Sequence, residues 1–119
     1  MKKIKIKNGQ LVHLLNVFVK ASEADFESTK QAMDHIDHTE TIEKAQKKVD
    51  KLRDNLVKKY KLDKQPVNQE DNEKASKEYT DILMEDVELE VEIPKAVVDQ
   101  LRIKPVEITT LVTSGLYTK

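Results

Sequence analysis

Two segments far apart in the chain alternate strictly between charged and apolar residues, and their charges are opposite. Lys3-Ile4-Lys5-Ile6-Lys7 carries lysines on one side, and Val87-Glu88-Leu89-Glu90-Val91-Glu92-Ile93 carries glutamates. A period of two belongs to a half-buried strand, because successive side chains point to opposite faces. Paired in one sheet, the two segments would put their apolar residues on one face and their opposite charges on the other. A slip of one residue would drive charge into the core, so the pattern disfavours that slip. It adds little stability, since each exposed pair contributes only a few tenths of a kcal/mol. The expectation is a small antiparallel sheet built from residues 3–7 and 86–93.

Between these strands the period changes from 2 to about 3.6. Leu11, Leu15, Phe18, Phe26, Met33 and Ile36 keep one face apolar from Gln10 onward, with Asn8 as a candidate N-cap. Residues 22–25 are polar, yet the spacing supports one helix through to Ile36. Ile42, Ala45, Val49, Leu52 and Leu56 then step by three and four, which is a heptad seam. With Thr39 as N-cap, Asp37-His38-Thr39 reads as the joint of an antiparallel helical hairpin over residues 10–60. Residues 61–70, with Pro66, read as a loop. A third helix over 71–84, capped by Asp71 or Asn72, precedes the acidic strand. Pro94 opens a short turn reaching Leu101. Pro105 suits a helix start and Gly115 its left-handed cap, although the β-branched run 108–113 also permits a strand. The chain of 119 residues reads as a single α+β domain.

Composition narrows the chemistry. Zero Cys removes disulfides, thiolate catalysis and Cys-based metal centres, and two Gly leave no glycine-rich phosphate cradle. The net charge of −1 gives no general case for nucleic acid. Lysines cluster in residues 1–20 and 44–64, but the first group faces the glutamate strand and the second is interleaved with acids. No apolar run approaches the length of a membrane span, and the N-terminus lacks a signal peptide's apolar region. His35 and His38 are the one pair with metal-ligand spacing, and a neighbouring carboxylate could serve as a third ligand. The plainer reading makes them solvated polar residues at a helix end. No catalytic group, cofactor or metal is assigned, and a metal-dependent enzyme at His35 and His38 is the least favoured reading.

The heptad seam points instead to contact with another chain. Val49, Leu52 and Leu56, with whichever of Phe18, Phe26 and Met33 the third helix leaves exposed, form the expected interface of a homodimer. The order of elements also resembles a family of small tailed-phage proteins. The resemblance rests on the lysine-rich strand with Asn8-Gly9-Gln10-Leu11, and on Leu56-Val57-Lys58-Lys59-Tyr60. The Pro and Asn loop, Tyr79-Thr80-Asp81-Ile82-Leu83-Met84 before the acidic strand, and the final Pro-initiated helix complete it. The chain is similar to the family of unknown function numbered sixteen-seventeen, from phages and prophages of low-GC Gram-positive bacteria. That resemblance implies a phage accessory protein in the host cytoplasm or the virion, acting on a phage structural or host protein. The alternative, from a different class, is an anti-defence protein that sequesters a nucleotide signal, in a pocket at a subunit junction lined by lysines with Tyr60, Tyr79 or Tyr117.

Overall fold

The two alternating segments do pair. In the computed structural model, which describes residues 2–63 and 68–117, β1 (Lys3–Lys7) and β2 (Asp86–Glu90) form a two-stranded antiparallel sheet. Lys3 stands opposite Glu90, Lys5 opposite Glu88 and Lys7 opposite Asp86. Ile4, Ile6 and Leu89 point into the core, while the lysines and acids stay outside. The rest of the α+β fold is helical: α1 (Leu11–Ala21), α2 (Thr29–Lys59), α3 (Gln69–Met84), α4 (Lys95–Val98) and α5 (Pro105–Ser114). At 31 residues α2 is about 46 Å long, and it sets the long axis of a molecule measuring 54 × 25 × 24 Å.

The hairpin joint lies earlier than the sequence suggested. Residues 37–39 run through the interior of α2, and the break falls at residues 22–28. Ser22 tightens the end of α1, because both its amide and its hydroxyl donate to the Val19 carbonyl. Ser28 then caps α2 by accepting from the Gln31 amide at 3.1 Å, and the Gln31 side chain accepts from the Glu27 amide at 2.9 Å. These reciprocal bonds satisfy amides that a helix start leaves free. Thr39 is no cap, since its hydroxyl donates back to the His35 carbonyl within α2.

Other caps also move. Asn8 sits in a single 3₁₀ turn, and its side-chain amide donates to the Ile82 carbonyl at 2.9 Å, tying β1 to the end of α3. Asn68, rather than Asp71 or Asn72, caps α3 by accepting from the Glu70 and Asp71 amides. The loop expected over 61–70 therefore ends at Asn68, and its residues 64–67, with Pro66, lie outside the described residues. The short turn after Pro94 is helical only over Lys95–Val98, and β2 ends at Glu90. Residues 108–113 are helical within α5, which starts at Pro105 and stops at Gly115 with φ +83°. That left-handed conformation is the one glycine adopts without steric cost.

Leu11, Leu14, Val17, Phe18 and Ala21 of α1 are all fully buried. They form the centre of the core, with Ile4 and Ile6 of β1, Ile42 and Val49 of α2, Leu89, Val91 and Ile93 of the acidic segment, and Val97, Val98 and Leu111.

Candidate functional site

Backbone pairing gives β2 two unlike edges. The Val91 amide donates to the Lys2 carbonyl and the Asn8 amide to the Glu85 carbonyl. With the observed register, Val87 and Leu89 also direct their backbone groups at β1, since hydrogen-bonded pairs alternate in an antiparallel ladder. Asp86, Glu88 and Glu90 consequently direct theirs away from β1, along the edge beside α2. Glu92 continues that edge, and there His38 of α2 takes the place of a neighbouring strand. Its Nδ1 lies 3.0 Å from the Glu92 carbonyl oxygen, to which it donates, and 3.4 Å from the Glu92 amide.

Beyond His38 the edge opens onto a groove of about 430 Å³. One wall is the face of α2 that carries Thr41, Lys44, Ala45, Lys48, Val49 and Leu52, and the other is β2 from Asp86 to Leu89. Side-chain charge along this edge is only partly neutralised. Lys5 and Lys7 both reach Asp86, at 3.8 and 3.5 Å. Glu88 and Glu90 have no basic nitrogen within 4 Å among the described residues, although lysines stand opposite them in the register.

The histidines are neither solvated nor at a helix end, and here the plainer expectation fails. His35 is 3% exposed and His38 8%. His35 Nε2 donates to the Phe18 carbonyl at 2.8 Å, one of the last four carbonyls of α1, which have no partner inside their own helix. Its ring stacks on Phe18, centroids 5.2 Å apart and planes within 2°, and tilts against Phe26 at 5.0 Å. Burial holds the His35 pKa below the usual 6.5, with a further push from His38, despite the opposing bond to Phe18. The neutral ring thus pins α2 to α1, as His38 pins it to residue 92. Asp34 shares a cavity of about 360 Å³ with both rings. Each ring already uses one nitrogen on a backbone carbonyl, and among the described residues no three metal-type side chains come together.

The expected interface residues separate. Phe18 and Val49 are buried within the chain's own core. Phe26 is half-buried against His35, and Leu56 is half-buried with Val57, Ala75 and Tyr79 under α3. Leu52 at 42% and Met33 at 60% are the exposed members. The tyrosines do not converge. Tyr79 packs beside Leu56, Lys59 lies over the Tyr60 ring, and the Tyr117 hydroxyl donates to Asp99 at 2.8 Å.

One buried charge had no signal in a sequence so rich in carboxylates. Glu107 of α5 is 1% exposed and accepts from the Lys20 ammonium at 2.7 Å and the Lys104 amide at 2.8 Å. Burial raises its pKa, but those two bonds and the charges of Lys20 and Lys104 outweigh it and hold the carboxyl below its usual value. It locks α5 to the end of α1. Among the described residues no helix is long and apolar enough to cross a membrane. No protein-family model, curated protein or solved structure matches this chain.

Proposed function

We propose that the chain is a non-enzymatic phage accessory protein that acts by binding another protein, in the virion or in the host. The observation that carries this reading is the groove between α2 and β2. It joins the unneutralised Glu88 to an apolar wall ending in exposed Leu52. An exposed strand edge beside apolar surface is a common protein-recognition element. The phage assignment draws on the order of elements alone. Self-association belongs to the same reading, with Leu52 and Met33 as the side chains left to mediate it.

The test uses the whole purified chain and its Leu52→Asp variant as baits in a lysate of infected cells, with mass spectrometry of retained proteins and small molecules. A protein held by the wild type and lost by Leu52→Asp is the expected result. A copurifying nucleotide with no protein partner would overturn it in favour of nucleotide sequestration. Light scattering on the same samples decides self-association: a dimer gives twice the 13.7 kDa chain mass, and Leu52→Asp lowers it.

A further inference from the structure

We propose that the open edge of β2 accepts an extended segment of another protein as a third strand, and that this segment alternates basic and apolar residues. The proposal rests on the protein-binding reading above and gives the partner a chemistry.

Three features lead to it. The first is the parity of the ladder, which turns the amides and carbonyls of Asp86, Glu88 and Glu90 away from β1. Unpaired strand edges of this kind template a further strand. Five residues at about 3.3 Å each give a docking length of roughly 17 Å. The second is His38, which occupies the same edge at Glu92 and so ends the docking track there. The third is side-chain character. On its closed edge β2 already pairs with Lys3-Ile4-Lys5-Ile6-Lys7, so isoleucines join the core and lysines face the acids. A strand on the open edge meets the same demands. Its inward residues face Ala45, Val49 and Leu52, and its outward residues lie beside Glu88 and Glu90, which lack a basic partner among the described residues. The stems of Lys44 and Lys48, on the α2 rim, would cover the apolar side chains while their ammonium groups stay in water.

A second copy of this chain fits less well. Two β2 edges brought together would set glutamates against glutamates, which is unfavourable in cross-strand pairs. The outer edge of β1 offers lysines, but its Lys7 amide is already taken by the Gln10 side chain at 3.1 Å. Such a head-to-tail contact would build a ring or an open filament rather than a two-fold dimer.

The experiment titrates the isotopically labelled full chain with three blocked peptides and follows its backbone amides by nuclear magnetic resonance. One peptide is Arg-Val-Arg-Val-Arg-Val-Arg, the second replaces Arg by Glu, and the third is the first with alternate backbone nitrogens methylated. The basic peptide is expected to bind, shifting the Asp86, Glu88 and Glu90 amides and slowing their exchange while Val87 and Leu89 change little. The acidic and methylated peptides should bind about tenfold more weakly or worse, the first because it sets carboxylates against Glu88 and Glu90 and the second because it loses backbone hydrogen bonds to the open edge. Glu88→Pro should abolish binding and keep the fold, because its amide is not used by β1. If that variant fails to fold, the methylated peptide decides the same point. The double change Glu88→Gln and Glu90→Gln should weaken binding about three- to tenfold.

Binding that maps elsewhere, indifference to methylation, or no binding by any of the peptides would overturn the proposal. So would chains that grow in mass without peptide while those three amides become protected, since the occupant is then another copy. A lysate partner still lost with Leu52→Asp would in that case leave the protein-binding reading standing and sink only the third strand.

Discussion

The two halves of α2 make opposite uses of one continuous helix. Residues 29–49 bury His35, His38, Ile42 and Val49, whereas residues 50–59 bury no side chain fully. The first half lies against α1 and the acidic segment, both rich in apolar residues. The second meets α3, which buries only Ala75. The heptad seam crosses both halves, so apolar spacing alone does not say where a helix is covered. What decides it is the neighbour, including backbone ends that need a partner. Two polar side chains sit in the core face because the Phe18 and Glu92 carbonyls require donors there.

The sharpest way to break this contrast is a pair of truncations read by chemical denaturation. Ile42→Ala empties a fully enclosed site and should cost about 2–5 kcal/mol. Leu56→Ala, half-exposed under α3, should cost about 1 kcal/mol, in keeping with its partial burial. Equal costs would mean that the second half is as well packed as the first. Next in size, His35→Ala should lose about 2–4 kcal/mol through the ring stack and the bond to Phe18. His35→Phe should recover the larger part, because it keeps the stack.

Acidification sharpens the same point. The folded pKa of His35 lies below the usual 6.5, so the unfolded chain binds the extra proton first. Stability is then complete above about pH 6.5 and declines as pH falls beneath it. His35→Phe should remove that decline from a series of melting curves. Glu107, also held below its usual value of 4.5, adds stability that is present above about pH 4.5 and lost at lower pH. Its loss therefore begins in a lower window, which Glu107→Gln should abolish. At the weak end, Asn68→Ala removes the α3 cap and should cost about 0.5–2 kcal/mol, with amide exchange faster in α3 than in α1. Lys59→Ala breaks the exposed pair with Glu78 and should leave the melting temperature unchanged within error.

Much of the sheet was legible because alternation excludes the registers that bury charge, and Lys3–Lys7 meets Asp86–Glu90 in one of the others. Pro105 and Gly115 likewise mark the ends of α5, since each has a backbone geometry few residues share. Ser28-Thr29-Lys30-Gln31 has the form of a capping pattern, a signal that the reading by apolar spacing passed over. Placing a joint at Thr39 then made His35 and His38 look like a solvated helix end. The open edge of β2 had no sequence signature, because it depends on ladder parity and on which side α2 lies.

Amide hydrogen exchange along residues 85–92 of the free protein tests the central claim, that β2 has one closed edge and one open edge. Val87, Leu89 and Val91 should exchange slowly, while Asp86, Glu88 and Glu90 should exchange fast. Slow exchange at all six of the first-named amides would mean that the edge beside α2 is covered in the free protein, and would contradict the account.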